Sequence, residues 1–159
     1  MKLTHATVLL KAVLVLSFLL LALVVFGGVP AYMAHIIQVR PDVAGWDYWM
    51  RAYALVVALP VWTVMALLWR TFDTIPRNNA FCLDNVKRFR RIALLAAADL
   101  VPVVGLGVLL VALGVTPPFI MMALMAATYG GVIVAIVFHV LAGLLQNAVV
   151  LKQDSDMTI

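Results

Sequence analysis

The sequence holds one cysteine, Cys82, and no glutamate; all seven acidic residues are aspartate. A lone cysteine cannot close an intramolecular disulfide or supply a CxxC pair. That argues against a quinone-linked thiol oxidoreductase, and Cys82 reads as a buried or inert thiol. Charge is scarce as well. Only 11% of the 159 residues are charged, against about a quarter in soluble globular chains. With 66% of residues hydrophobic, a soluble core of this size could not hide the apolar surface, so lipid must be the solvent for much of it. The length fits one domain. Metal and cofactor chemistry also lack their residues: in the topology that the charges set, His5 falls inside, His35 outside and His139 within the membrane. These three cannot share a metal ion, and no two at matched depth would hold a haem. No phosphate loop or nucleophile motif occurs, and Asp73 and Asp84 have no catalytic partner. The eight methionines read as apolar filling rather than a copper relay. No cofactor, no metal and no enzymatic activity are expected.

What the chain has instead is four long apolar runs, near 12–29, 52–69, 92–114 and 119–145. Each suffices to cross a bilayer as a helix of roughly 17–25 residues, and backbone groups in hydrocarbon must bond internally. The expected fold is an all-α integral membrane four-helix bundle in a single domain, 1–159. Pro60 and Pro102 lie inside spans and are expected to bend them. The first run is longer than the apolar stretch of a signal peptide and lacks a clean cleavage site, so it reads as a retained helix. No low-complexity segment or convincing repeat is present.

Lys and Arg set the orientation. Lys2, Lys11, Arg70, Arg77, Lys87, Arg88, Arg90, Arg91 and Lys152 fall on one side, and only Arg40 and Arg51 on the other. The positive-inside bias places both termini, loop 70–91 and tail 146–159 in the cytoplasm. A multi-pass protein of the cytoplasmic membrane is expected. In the outer loop, Tyr32, Trp46, Tyr48 and Trp49 read as interfacial anchors. Residues 115–118 make only a tight turn, so spans three and four form an antiparallel hairpin.

The basic segment FCLDNVKRFRR, residues 81–91, lies between apolar runs. Asn78 or Asn79 is placed to cap a following helix. Val86, Phe89, Ile92 and Ala93 recur at helical spacing, and Asp84 precedes Lys87 and Arg88 by three and four residues, a supporting ion-pair arrangement. An amphipathic helix running straight into span three is predicted. Its cations set topology and attract anionic headgroups; beyond that, Lys87, Arg88, Arg90 and Arg91 offer a docking face for a cytoplasmic protein. The positive-inside bias already accounts for their charge, so direct nucleic-acid binding is not expected. The tail LKQDSDMTI is locally anionic through Asp154 and Asp156; it either frays or lies across the four cations as a weak latch.

Asp99 is the one acid well inside a span, and ionisable groups there usually face the bundle or an aqueous cavity. Ala135 and Gly143 flank His139 at i−4 and i+4, small residues that favour close helix packing. Counting depth from Asn147 puts His139 near Asp99, and the two are expected to meet. Such a pair would hold the hairpin together, respond to protons near neutrality, or serve proton-coupled transport.

Phe81, Asn85-Val86-Lys87-Arg88, Arg90-Arg91-Ile92 and the ending Asp154-Ser-Asp156-Met-Thr158-Ile159 resemble the YoaS-like bacterial membrane family, domain of unknown function 2975. The resemblance implies four spans and a bacterial membrane protein, often encoded near a helix-turn-helix regulator; it implies no activity. Cys82 stands where it would place a helix-capping Ser or Thr, Phe89 where it would place Leu, and Gln153 where it would place an acid. The resulting expectation is a regulatory or interaction module that engages a cytoplasmic partner, possible helix-turn-helix regulators included, through its inner loop and tail. The alternative is a small proton-coupled transporter using Asp99. Either would sit in the lipid bilayer, and a homo-oligomer is open to both.

Overall fold

The computed structural model describes residues 3–75, 82–114 and 117–157, with side chains for 5–75, 82–114 and 117–151. The described residues form no strand. They build a bundle in which four helical segments are long and apolar enough to cross a membrane. Helix α1 (Leu3–Leu23) passes through a π-helical turn (Val24–Gly28) into α2 (Val29–Val39). A 3-10 turn (Pro41–Trp46) leads to α3 (Asp47–Phe72), followed by α4 (Leu83–Ala112) and α5 (Pro118–Met157). Helix α1 packs on α3, α3 on α4 and α4 on α5. The second and fourth predicted spans lie inside α3 and α5, the first crosses α1 and the π turn to the start of α2, and the third runs two residues past the end of α4.

The main departure is at the predicted outer loop, most of which is helix. The run does not stop at Gly27-Gly28, because the π turn carries the chain through and Pro30 then sits in the first turn of α2. The chain stays helical through this point, with the Val29 N–H donating to the Val24 carbonyl, so Pro30 lies within a continuous helix at the π turn, the kind of irregularity that accompanies a proline inside a helix. The π turn also brings Phe26 against Trp62, its ring centroid 6.2 Å away, while Phe18 reaches the same indole at 5.6 Å. Of the expected anchors, Tyr48, Trp49 and Trp46 are exposed, but Tyr32 is half-buried, edge-on to Phe119.

At this end the two cations are neutralised locally. Arg51 pairs with Asp47 at i−4, and Arg40 pairs with Asp42 at 2.6 Å. Arg40 Nη1 also donates to the carbonyls of Leu113 and Gly114 at 3.3 and 3.4 Å. Those carbonyls close α4, where Gly114 takes a φ of 64° and ends the helix. A cation at that position also complements the helix dipole.

The opposite end carries the remaining described cations. Helix α4 is one continuous rod from the basic segment into the membrane, as its periodicity predicts. Val86, Ile92 and Ala93 are buried, and Phe89 meets Phe138 edge-on at 5.3 Å. Its N-cap is Cys82, which makes no side-chain capping bond. The alternative caps Asn78 and Asn79 lie outside the described residues. Replacing Cys82 by serine restores an acceptor for the free first-turn N–H groups. Cys82→Ser is expected to stabilise the protein by about 0.5–2 kcal/mol, measured by thermal unfolding in detergent; an unchanged midpoint would show that the cap is not needed.

The expected tail is not a separate segment. Helix α5 spans 40 residues, about 60 Å at the α-helical rise, or twice the ~30 Å hydrocarbon thickness. It therefore continues beyond the membrane, and Asp154 and Asp156 lie on its last turns. The latch across the basic residues concerns side chains outside the described ones.

Candidate functional site

Two polar places stand out in an otherwise apolar bundle. The first is a knot at the basic end, joining α1, α3 and α4. Lys11 pairs with Asp73 and lies 4.9 Å over the Trp69 ring. Asn85, 1% exposed, donates through Nδ2 to Thr74 Oγ1 at 2.8 Å, and its Oδ1 accepts from Arg88 Nη1 at 2.9 Å. Thr74 Oγ1 in turn donates to the Thr71 carbonyl at 2.6 Å, and Arg88 donates to the Arg70 carbonyl at 3.1 Å. The end of α3 and the start of α4 are thus tied by side chains flanking the loop.

The knot sorts the four predicted docking cations into two kinds. Arg88 is half-buried and committed to Asn85 and the end of α3. The expected support from Asp84 is replaced: among the described residues no ion pair joins Asp84 to Lys87 or Arg88, because the buried amide of Asn85 offers Arg88 a closer, desolvated partner. Asp84 instead sits in the first turn of α4, where an acid complements the helix dipole. Arg90 donates to Gln146 Oε1 of α5 at 2.6 Å. Of the four, Lys87 and Arg91 alone are exposed with no side-chain hydrogen bond or ion pair among the described residues. One helical turn apart, they continue the exposed apolar stripe of Leu94, Val101, Val104 and Val108. Their position suits the headgroup layer at least as well as a protein.

The second place is Asp99. It lines a cavity of about 360 Å³ between all four long helices, with Leu21 from α1, Val57, Pro60, Val61 and Val64 from α3, Leu95, Ala96, Leu100 and Val103 from α4, and Ala127, Gly131 and Val134 from α5. The hollow arises because α3 and α5 both pack on α4 but not on each other. Small residues set the close approaches around it. At Gly105 a Cβ would stand 3.0 Å from Tyr53 Oη, which donates to the Pro102 carbonyl at 2.8 Å. At Gly131 a Cβ would stand 2.8 Å from Leu100 Cδ2. Asp99 Oδ1 is buried and has no hydrogen-bond partner among the described residues.

His139 is not that partner. Its side chain is exposed, and no hydrogen bond or ion pair joins it to Asp99 among the described residues. The register explains why. Phe138 meets Phe89 and Gln146 meets Arg90, whereas Gly131 is the residue beside Leu100. His139 is eight residues beyond Gly131, roughly 12 Å along the axis, and level with the basic end. Counting depth from Asn147 places it too deep because α5 has no boundary there. Nor does Gly143 mark the packed face: a Cβ there would meet nothing within 4 Å, while the half-buried Ala135 shares the inward stripe of Phe138, Ala142 and Val149.

Sequence reasoning singled out Asp99 but not its cavity, and it missed the Asn85 knot. The signal for the latter was thin: an Asn in the first turn of an amphipathic helix, on the same face as Ile92. Among the described residues no group of His, Cys and Asp has the arrangement of a metal site. No curated protein and no solved structure matches the chain. The model of the family described as "Protein of unknown function (DUF2975)" matches residues 9–159, and the chain belongs to that family.

Proposed function

We propose that the protein is a small, non-enzymatic proton-coupled carrier of the bacterial cytoplasmic membrane, with both termini cytoplasmic and Asp99 as its working group. One observation carries this reading: Asp99, whose carboxylate has a buried oxygen with no partner among the described residues, lines an apolar cavity reached by all four long helices. An isolated charge in hydrocarbon is expensive, so Asp99 must be neutralised by a proton or by a bound cation. A group that alternates between the two couples their movements. The orientation is supported by charge: the cations of one end are paired with neighbouring aspartates, while Lys87 and Arg91 at the other are free to meet anionic headgroups.

The second reading is the regulatory module that engages a cytoplasmic protein. It draws on the same two exposed cations and on α5, which continues past the bilayer beside them. Arg88 and Arg90 contribute less to it, since each already has an internal acceptor.

Proteoliposomes loaded with a pH-sensitive dye separate the two. The carrier gives proton flux dependent on a supplied solute, tested over amines, carboxylic acids, sugars and metal ions. Asp99→Asn is expected to reduce that flux to the level of empty liposomes. Absence of flux with every class, together with a cytoplasmic protein that co-purifies with the native chain and is lost from Lys87→Gln/Arg91→Gln, would establish the regulatory reading instead. Topology must be verified in that double variant, because the same charges orient the chain.

A further inference from the structure

We propose that the Asp99 cavity is a binding site for a lipophilic amine in its protonated form, held by an N–H···O bond to the Asp99 carboxylate. The proposal deepens the carrier reading and rests on it only for the transport of the amine once bound. Three features of the cavity define the ligand. A carboxylate is an acceptor, so what meets it in the cavity must be a donor. A charged donor is favoured, because charge-assisted bonds are the stronger kind and the ion pair would neutralise both partners in hydrocarbon.

The rest of the lining is aliphatic: Val57, Pro60, Val61, Leu95, Leu100 and Val103 are typical of it, and no other charged side chain and no aromatic ring takes part. An apolar body is therefore matched everywhere except at one point. A second charge on the ligand would have no partner, which disfavours zwitterions and dications. The lack of rings denies a quaternary ammonium the aromatic cage it would need in place of N–H bonds. Metal cations are disfavoured too, since hard ions take about six or more oxygens and the side chains here supply one carboxylate. The volume, about 360 Å³, is within the range of small-molecule sites. No titratable side chain from α1, α3 or α5 lines the cavity with Asp99, so proton and amine compete for one carboxylate.

The test uses the full chain in phosphatidylcholine nanodiscs, titrated calorimetrically with adamantan-1-amine, its N,N,N-trimethyl analogue and adamantan-1-ol, each corrected by empty nanodiscs. Saturable binding of the amine is expected, with the quaternary analogue and the alcohol weaker. Asp99→Asn should weaken the amine about ten- to hundred-fold, the range of a hydrogen bond to a charged group. Ala127→Leu, which fills the cavity from α5 and leaves Asp99 in place, should also abolish binding and decides the matter if Asp99→Asn does not fold.

Three results would each overturn the site: no saturable binding, equal binding to both variants and the native chain, or quaternary binding as tight as the amine. Saturable amine binding without amine-driven proton flux would leave the site standing and remove the carrier reading. Flux with another solute class and no amine binding would do the reverse.

Discussion

Asn85→Ala is expected to lower stability by about 2–4 kcal/mol, combining lost hydrogen bonds with a small cavity. Asn85 is among the most buried residues of the chain, yet its side chain is polar at both ends of the amide. Truncation leaves Thr74 Oγ1 without its donor and Arg88 without Asn85 Oδ1. Those groups are partly buried, so water replaces the lost partners only in part. The effect should concentrate at the α3–α4 junction, because the knot spans that loop and no other. Denaturant unfolding in micelles measures the loss. A double-mutant cycle with Thr74→Val isolates the pair, where contacting residues show coupling of about 0.5–3 kcal/mol. A coupling near zero would mean that the bond to Thr74 adds nothing to the hold on Asn85.

Gly131→Leu is expected to cost about 1–3 kcal/mol by overpacking, and to close the Asp99 cavity at the same time. A Cβ at this position would already stand 2.8 Å from Leu100 Cδ2, and 4.0 Å from the Ala96 carbonyl. The nearer atom is the end of a flexible side chain, so Gly131→Ala is met by a rotation of Leu100 and should cost much less. Leucine adds three carbons beyond that Cβ, which must enter the cavity or push α4 away. Thermal unfolding of both variants, read beside adamantan-1-amine binding, checks the contrast. If Gly131→Leu were as stable as the native chain and bound the amine normally, α4 and α5 would have to stand further apart at this level than the Leu100 contact requires.

Particular residues show how far the chain could be read unaided. The helical recurrence of Val86, Ile92 and Ala93 was legible because a helix buries one stripe of its own sequence, and these residues are buried. Cys82 at the N-cap was implied by the family resemblance, whereas the residues by themselves pointed to Asn78 or Asn79. By contrast, nothing local separates Arg88 from Lys87. They are adjacent in sequence and point about 100° apart around the helix, so one meets Asn85 and the other stays exposed.

The sequence by itself determined that this is an all-helical membrane protein: four apolar runs, few charges and a strong Lys/Arg bias are one-dimensional properties. It also marked Asp99 as costly where it stands. Only the tertiary structure decided what Asp99 faces and that His139 does not reach it. It also gave Arg88 and Arg90 acceptors within the chain, leaving Lys87 and Arg91 without a bonded partner among the described residues. The physical reason is register. Hydropathy reports that a helix is in the membrane, but its axial offset and rotation against a neighbour come from side chains meeting across the interface. Here those are Phe89 on Phe138, Arg90 on Gln146 and Leu100 over Gly131.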